Sequence, residues 1–279
     1  MTCLQAASMP QDDNTFYILG TGRSLLDLSS EERRYLDAHP RTLGMNRFYL
    51  NYERLDICPS MLFLSDFNYY ADLILRGCIE RLKREGRALP YYVGGEYLRF
   101  YRSASLADLR FKRRMRRKLK NKADYKPGAL PDYEHLVGFP VSNEAEEFYW
   151  ARNFKTPLYH RRGSLTVAIN LANILYPACD IKLLGIDLSS PGYFYDDLIT
   201  DETRDQWVDE KYDQSKRLGV HASARPKTHD STTLCDVMHQ VTAEFRRQGQ
   251  GLYCCNPESL LVTENVVPYA PVIGPKTAR

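Results

Sequence analysis

The sequence predicts an α/β fold: a single Rossmann-like domain with a doubly wound, mostly parallel sheet and a lid inserted over its site. Three observations predict it. Short apolar runs of strand length alternate with longer stretches whose apolar residues recur at helical spacing. The runs stop at glycine or small polar residues, among them Gly20, Asn46, Ser65, Asp187 and Asn256. The first run, Phe16–Leu19, opens into a turn with glycines at 20 and 22 that leads at once into a helix. In such sheets ligands bind beyond the carboxyl ends of the strands. The stop residues, with Asp66 beside Ser65, are therefore the candidates for a site.

Taken in order, residues 1–14 read as a polar tail. After the first strand, Ser24 stands where a helix N-cap belongs, and a helix follows from about Leu25 to Ala38. Arg41–Phe48 reads as a second strand ending near Asn46, and Met61–Ser65 as a third. Phe67–Glu85 sets Ala71, Ile74, Leu75, Cys78, Ile79 and Leu82 at helical spacing. Tyr91–Val93 has the length of a short strand. From Gly94 to Asn143 the pattern weakens, and a basic insertion takes up about 95–143. Ser164–Tyr176 is an apolar helix expected to be buried on more than one side. Ile181–Ile186 is the clearest strand. Leu188–Thr228 is polar and irregular, and an unstructured stretch that long inside a compact domain is usually a lid or binding loop. Thr232–Gln248 carries Leu234, Val237, Met238, Val241 and Phe245 on one helical face. Gly249 and Gly251 stop it, and Leu252–Cys255 is the last strand. The α/β domain is thus 15–187 with 229–265, the lid 188–228, and the tails 1–14 and 266–279.

The 279 residues, 43% hydrophobic with 20 tyrosines, can bury a proper core and argue against disorder. No apolar run is long enough to span a bilayer. The first residues lack a basic segment followed by an apolar one, so no secretory signal is visible and a cytoplasmic location is expected. Seven cysteines, scattered apart from Cys254 and Cys255, form neither a disulfide framework nor a C-x-x-C metal pair. The net charge is +3, yet Arg110–Lys122 alone holds nine basic residues and no acid; removing those nine leaves −6. The basicity is one local feature.

The glycine turn has a physical reading of its own. Glycine lets backbone approach a ligand closely, and a helix N-terminus attracts anions. The spacing G-x-G-x-S lacks the third glycine of the dinucleotide fingerprint and the Gly-Lys-Ser/Thr ending of a phosphate loop. A nucleotide site and a tight structural turn both fit it.

Six pieces in order resemble the bacterial sialyltransferases of glycosyltransferase family forty-two. They are GTGRSL (Gly20–Leu25), MNRFY (Met45–Tyr49), RRGS (Arg161–Ser164), LGID (Leu184–Asp187), His229 before an amphipathic helix, and LYCCNPESLL (Leu252–Leu261). The resemblance covers roughly Phe16–Leu261. It implies a CMP-activated sugar acid as donor, a glycan or glycolipid hydroxyl as acceptor, inversion at the anomeric carbon, no required cofactor or metal, and assembly into homo-oligomers. Carried over by position, the glycine turn (Gly20, Thr21 and Gly22, with Ser24) and Asn46 would contact the CMP part, and Arg47 and Ser65 join them as nucleotide- or donor-binding candidates. Ser164, with Arg161 or Arg162, would lie near the donor, Tyr195 would hydrogen-bond the leaving phosphate, and His229 would be the general base. Thr21, Ser65 and Ser189 stand where the family has two asparagines and a tyrosine; Tyr193 or Tyr212 could substitute for that tyrosine. Three alternatives stay open: a donor such as CMP-Kdo, pyrophosphate transfer to a pterin, and a non-catalytic glycan- or nucleic-acid-binding protein.

Inverting transfer needs a base for the acceptor hydroxyl and hydrogen-bond donors for the departing phosphate. His229 suits the first role, since a following helix capped by Asp230 or Ser231 would keep its ring neutral. Asp187 could bind a hydroxyl or cap a turn. His221 and His229 have no H-x-E or D-x-D pattern beside them, so no metal is expected. Phe111, Met115 and Leu119 make a thin apolar stripe on the basic run, as in helices that lie on anionic bilayers at the inner face of a cell membrane. Nucleic acid is the rival partner for that run, but no aromatic stacking platform accompanies it. A solvated cationic helix, or a patch that binds acidic acceptor glycans, is the third reading.

Overall fold

The computed structural model describes residues 14–102, 109–119, 128–142, 145–189, 192–200, 219–227 and 229–274. Tyr212, most of the lid, the end of the basic run and both extreme tails lie outside the described residues. Seven strands form one sheet: β1 (Thr15–Leu19), β2 (Thr42–Met45), β3 (Met61–Leu64), β4 (Tyr91–Gly94), β5 (Leu136–Phe139), β6 (Asp180–Leu184) and β7 (Leu252–Cys254). Their order is β5-β4-β3-β2-β1-β6-β7, and every pairing is parallel. The chain builds outward from β1 to β5, then returns to lay β6 on the other side of β1. The switch point of the sheet is therefore the β1/β6 crevice.

Side-chain alternation shows that both faces are covered. Phe16, Ile18, Leu43, Met45, Ile181 and Leu183 bury into one core beneath α5 (Ser164–Leu175) and α6 (Leu234–Arg247). Tyr17, Leu19, Leu62, Leu64, Tyr91 and Val93 point the other way. That face is covered by α1 (Ser30–Ala38), α2 (Tyr69–Glu85), α3 (Gly95–Arg102) and α4 (Leu109–Leu119). A short α7 (Leu260–Thr263) follows β7. All six residues assigned to the inner face of α2 are buried, as are the five of α6. Asn68 caps α2 and Gly86, at φ 63°, ends it. Helix α5 is buried from Leu165 to Asn173, and Asn170 bonds the backbone of Ala151 and Tyr159.

Several boundaries differ from expectation. Ser24 does not cap a continuous helix: Arg23–Asp27 is a 3₁₀ turn, and α1 starts afresh behind Ser29, whose capping box with Glu32 satisfies its first amides. Thr233, not Asp230 or Ser231, caps α6, with Asp236 closing the box. Strand β6 stops at Leu184, because Gly185 turns with φ 63°. The basic insertion contains α3, α4 and the edge strand β5. Two of the three residues of the apolar stripe on the basic helix do not face outward: Met115 is buried in the second core, and Phe111 packs against that core beneath the Arg99 guanidinium, 4.3 Å from its ring centre. The third, Leu119, has its side chain outside the described residues. Arg110, Arg113, Arg114, Arg116 and Arg117 remain exposed. The segment placed in the C-terminal tail is partly core, with Val266, Val267 and Val272 buried. No helix among the described residues is long and apolar enough to cross a membrane.

Candidate functional site

At the β1/β6 switch point lies a cavity of about 120 Å³. Its wall is made of Gly20–Gly22 after β1, Met45 and Asn46 after β2, Arg162–Leu165 at the start of α5, Gly185–Leu188 after β6, and Gly192, Tyr193, His221 and Ser223 from the lid. Sequence reasoning named eight of these: Gly20, Thr21, Gly22, Asn46, Arg162, Ser164, Asp187 and Tyr193.

The glycine turn is a clamp between β1 and β6. Gly20 N–H donates to Leu184 O and Gly22 N–H to Gly185 O, both at 2.8 Å. A Cβ on Gly20 would stand 2.5 Å from Gly185 O, and one on Gly22 2.5 Å from the Asp187 carboxylate. That carboxylate takes the place expected for a ligand anion. It accepts from Ser24 N–H at 2.9 Å, from the Ser24 hydroxyl, and from Asn256 Nδ2 at 3.0 Å. The amino end of the first helical turn is thus filled from within the protein. The N-P-E-S segment is fastened to the same strand end, with Ser259 Oγ donating to Ile186 O and Ser189 Oγ to Glu258 O.

The other helix terminus in the cavity is differently made. Helix α5 begins at Gly163 and Ser164 with no acidic residue in its first turn and no side-chain cap. Arg162, 4% exposed, lies just before it and donates to Arg225 O. A cation and a long helix N-terminus together favour an anion. His221 adds a defined tautomer. Its Nδ1 accepts from Ser223 N–H at 3.2 Å, so in the neutral ring the proton sits on Nε2, which is then a donor. Asn46 Oδ1 is buried without a hydrogen-bond partner among the described residues.

Backbone strain gathers here. Asn46, Arg162 and Leu188 have φ of 53°, 62° and 56°, and they are three of the five described non-glycine residues in the left-handed region. Such conformations cost about 1–3 kcal/mol each and cluster at working sites.

The remaining expected residues stand elsewhere. Tyr195 is 2% exposed, in the core with Leu25 and Phe48; burial pushes its hydroxyl up to about 12, against Arg47 and Thr21, which bond it. It is the inner partner of Tyr193, their rings stacked at 5.3 Å, and the cavity meets Tyr193. Arg47 is committed to Tyr195, and Ser65, just past the end of β3, lies outside the lining. Arg161 pairs with Asp230 at 2.8 Å. Hydrogen bonds from Thr232, then the charges of Arg161 and Arg162, hold Asp230 below the usual carboxylate range. His229 sits exposed on the tight turn that Lys227 and Asp230 close, outside the cavity lining. The beginning of the lid is a strap: Gly22 bridges to Tyr193, Phe194 N–H donates to Thr21 O, and His221 N–H closes the neck onto Leu188 O. His221 itself was missed as a lining residue. No local sequence signal separates it from His229; only the neck contact does. Among the described residues no group of three His, Cys, Asp or Glu side chains converges to hold a metal.

Protein-family models, curated proteins and solved structures were compared with the chain, and none matched.

Proposed function

We propose that the chain is an inverting glycosyltransferase that takes its sugar from a CMP-activated donor. One observation carries the reading: eight residues picked out in the sequence as strand-end or donor-binding positions line a single cavity at the switch point of the sheet. Asn46 Oδ1, an acceptor without a partner among the described residues, suits the exocyclic amine of cytosine. Arg162 and the amino end of α5 suit the phosphate, and His221 Nε2–H suits the oxygen that gains charge as the bond to the sugar breaks. His229 keeps the base role that the resemblance implies, on an exposed turn eight residues along the same segment. At about 120 Å³ the cavity is smaller than the roughly 300–1,000 Å³ of ordinary small-molecule sites. A whole nucleotide sugar therefore requires the strap at Tyr193 to move aside.

Isothermal titration tests this. CMP should release heat on binding, and Asn46→Ala should weaken it about tenfold, the worth of one buried hydrogen bond. Binding of ATP or GTP with none of CMP would overturn the reading in favour of pyrophosphate transfer.

A further inference from the structure

On the other side of Asp187 lies a second cavity, of about 410 Å³. It shares Gly185 and Asp187 with the first, so the two stand back to back at the carboxyl ends of β1 and β6. Their linings differ in charge balance. The smaller one sets Arg162 and the amino end of α5 against one carboxylate, Asp187. The larger one has four carboxylates on its wall, Asp27, Glu32, Asp187 and Glu258, against the single cation Arg23. Asp187 is consumed by Ser24 and Asn256, and Glu32 by the α1 capping box. Asp27 and Glu258 are exposed residues of this wall, and their carboxylates are acceptors.

Tyr269 completes this wall, with half of its surface exposed. Its backbone is anchored: Cys254 N–H donates to Pro268 O at 3.0 Å and Ala270 N–H donates to Cys254 O at 3.1 Å, so the chain on either side of Tyr269 is fixed to the edge of β7. An exposed aromatic ring on an anchored backbone, beside carboxylate acceptors, suits a ring that offers C–H groups on one side and hydroxyl donors at its rim. The excess of carboxylates repels phosphates and sugar acids.

We propose that this larger cavity is a subsite for a neutral glycan, which stacks on Tyr269 and donates hydroxyl hydrogens to Asp27 and Glu258. The inference rests on the glycosyl-transfer reading only for calling that glycan the acceptor; the binding itself does not depend on it.

Saturation-transfer NMR on the full chain tests it, with lactose, maltose and chitobiose as probes and glucuronic acid as the acidic control. Transfer to the ring protons of at least one neutral disaccharide is expected, with less to glucuronic acid. Tyr269→Ala should reduce that transfer about threefold to tenfold, while Tyr269→Phe should retain it. Asp27→Asn with Glu258→Gln should weaken the neutral sugar and narrow the gap to the acidic one. No transfer to any neutral disaccharide would overturn the proposal. So would a preference for glucuronic acid, or equal transfer in a Tyr269→Ala protein whose melting curve matches wild type. CMP is titrated separately, so failure of the donor reading and failure of the glycan subsite are read independently.

Discussion

Replacing Asp187 with asparagine tests whether its carboxylate fastens the fold or serves a ligand. The group is 5% exposed and accepts from the Ser24 amide at 2.9 Å, the Ser24 hydroxyl and Asn256 at 3.0 Å. Asparagine keeps an oxygen for two of these donors. It sets an NH₂ against the Ser24 N–H, and a buried donor without a partner costs about 1–3 kcal/mol. The two surviving bonds fall from charge-assisted to neutral strength, a further loss of about 1 kcal/mol or so. The sum is roughly 2–4 kcal/mol, and each kcal/mol moves Tm by about 2–4 °C in a chain approaching this size, so Asp187→Asn should melt roughly 5–15 °C lower. Thermal unfolding by circular dichroism measures that, with CMP titration beside it. A melting point unchanged within about 2 °C, together with a large loss of CMP affinity, would refute the reasoning and make the carboxylate a ligand group.

Two further predictions follow from charges placed elsewhere. Glu85 is partly buried, which opposes its ionisation, but the Tyr49 hydroxyl, Arg81 and Tyr52 outweigh burial and hold it below its ordinary 4.5. A folded value below the unfolded one means that ionised Glu85 stabilises the protein above about 4.5, and that this stability is lost as pH falls through the folded value. The gap in urea midpoint between wild type and Glu85→Gln should therefore be widest near neutrality and close in acid; a gap independent of pH would count against the ionic account. The exposed arginines of α4 should hold anionic vesicles at low salt. Changing Arg113, Arg114, Arg116 and Arg117 together to glutamine should weaken co-sedimentation by roughly a thousandfold, at about 1 kcal/mol per basic residue, and salt near 1 M should abolish it. Sedimentation that survives both would dismiss the membrane as partner of this helix.

Much of the fold was legible because its elements repeat their signal. Helix α2 shows six buried residues at helical spacing, and α6 five, between recognisable stops. Strand β5 was not legible, since only Leu136 and Phe139 are buried while Val137 and Gly138 face out on the sheet edge. Asn46 and Asp187 could be found because a strand end is a local feature. The role of Asp187 could not, because its partner Ser24 lies 163 residues away. Tyr195 and Tyr193 are two residues apart and of one type, yet one is core and the other meets the cavity. Residue type reveals which chemistry is on offer; only folded contacts decide which copy of it is presented.

The stretch around Val272 reaches back to the middle of the sheet. The Tyr17 hydroxyl donates to Val272 O at 2.9 Å, and the ammonium of Lys182 rests on the carbonyls of Pro271 and Val272. During synthesis, then, the central strands cannot settle fully until more than 250 later residues have left the ribosome. Shortening the protein at residue 265 would strand a positive charge in its interior, so anyone trimming that end should expect inclusion bodies rather than a tidier domain.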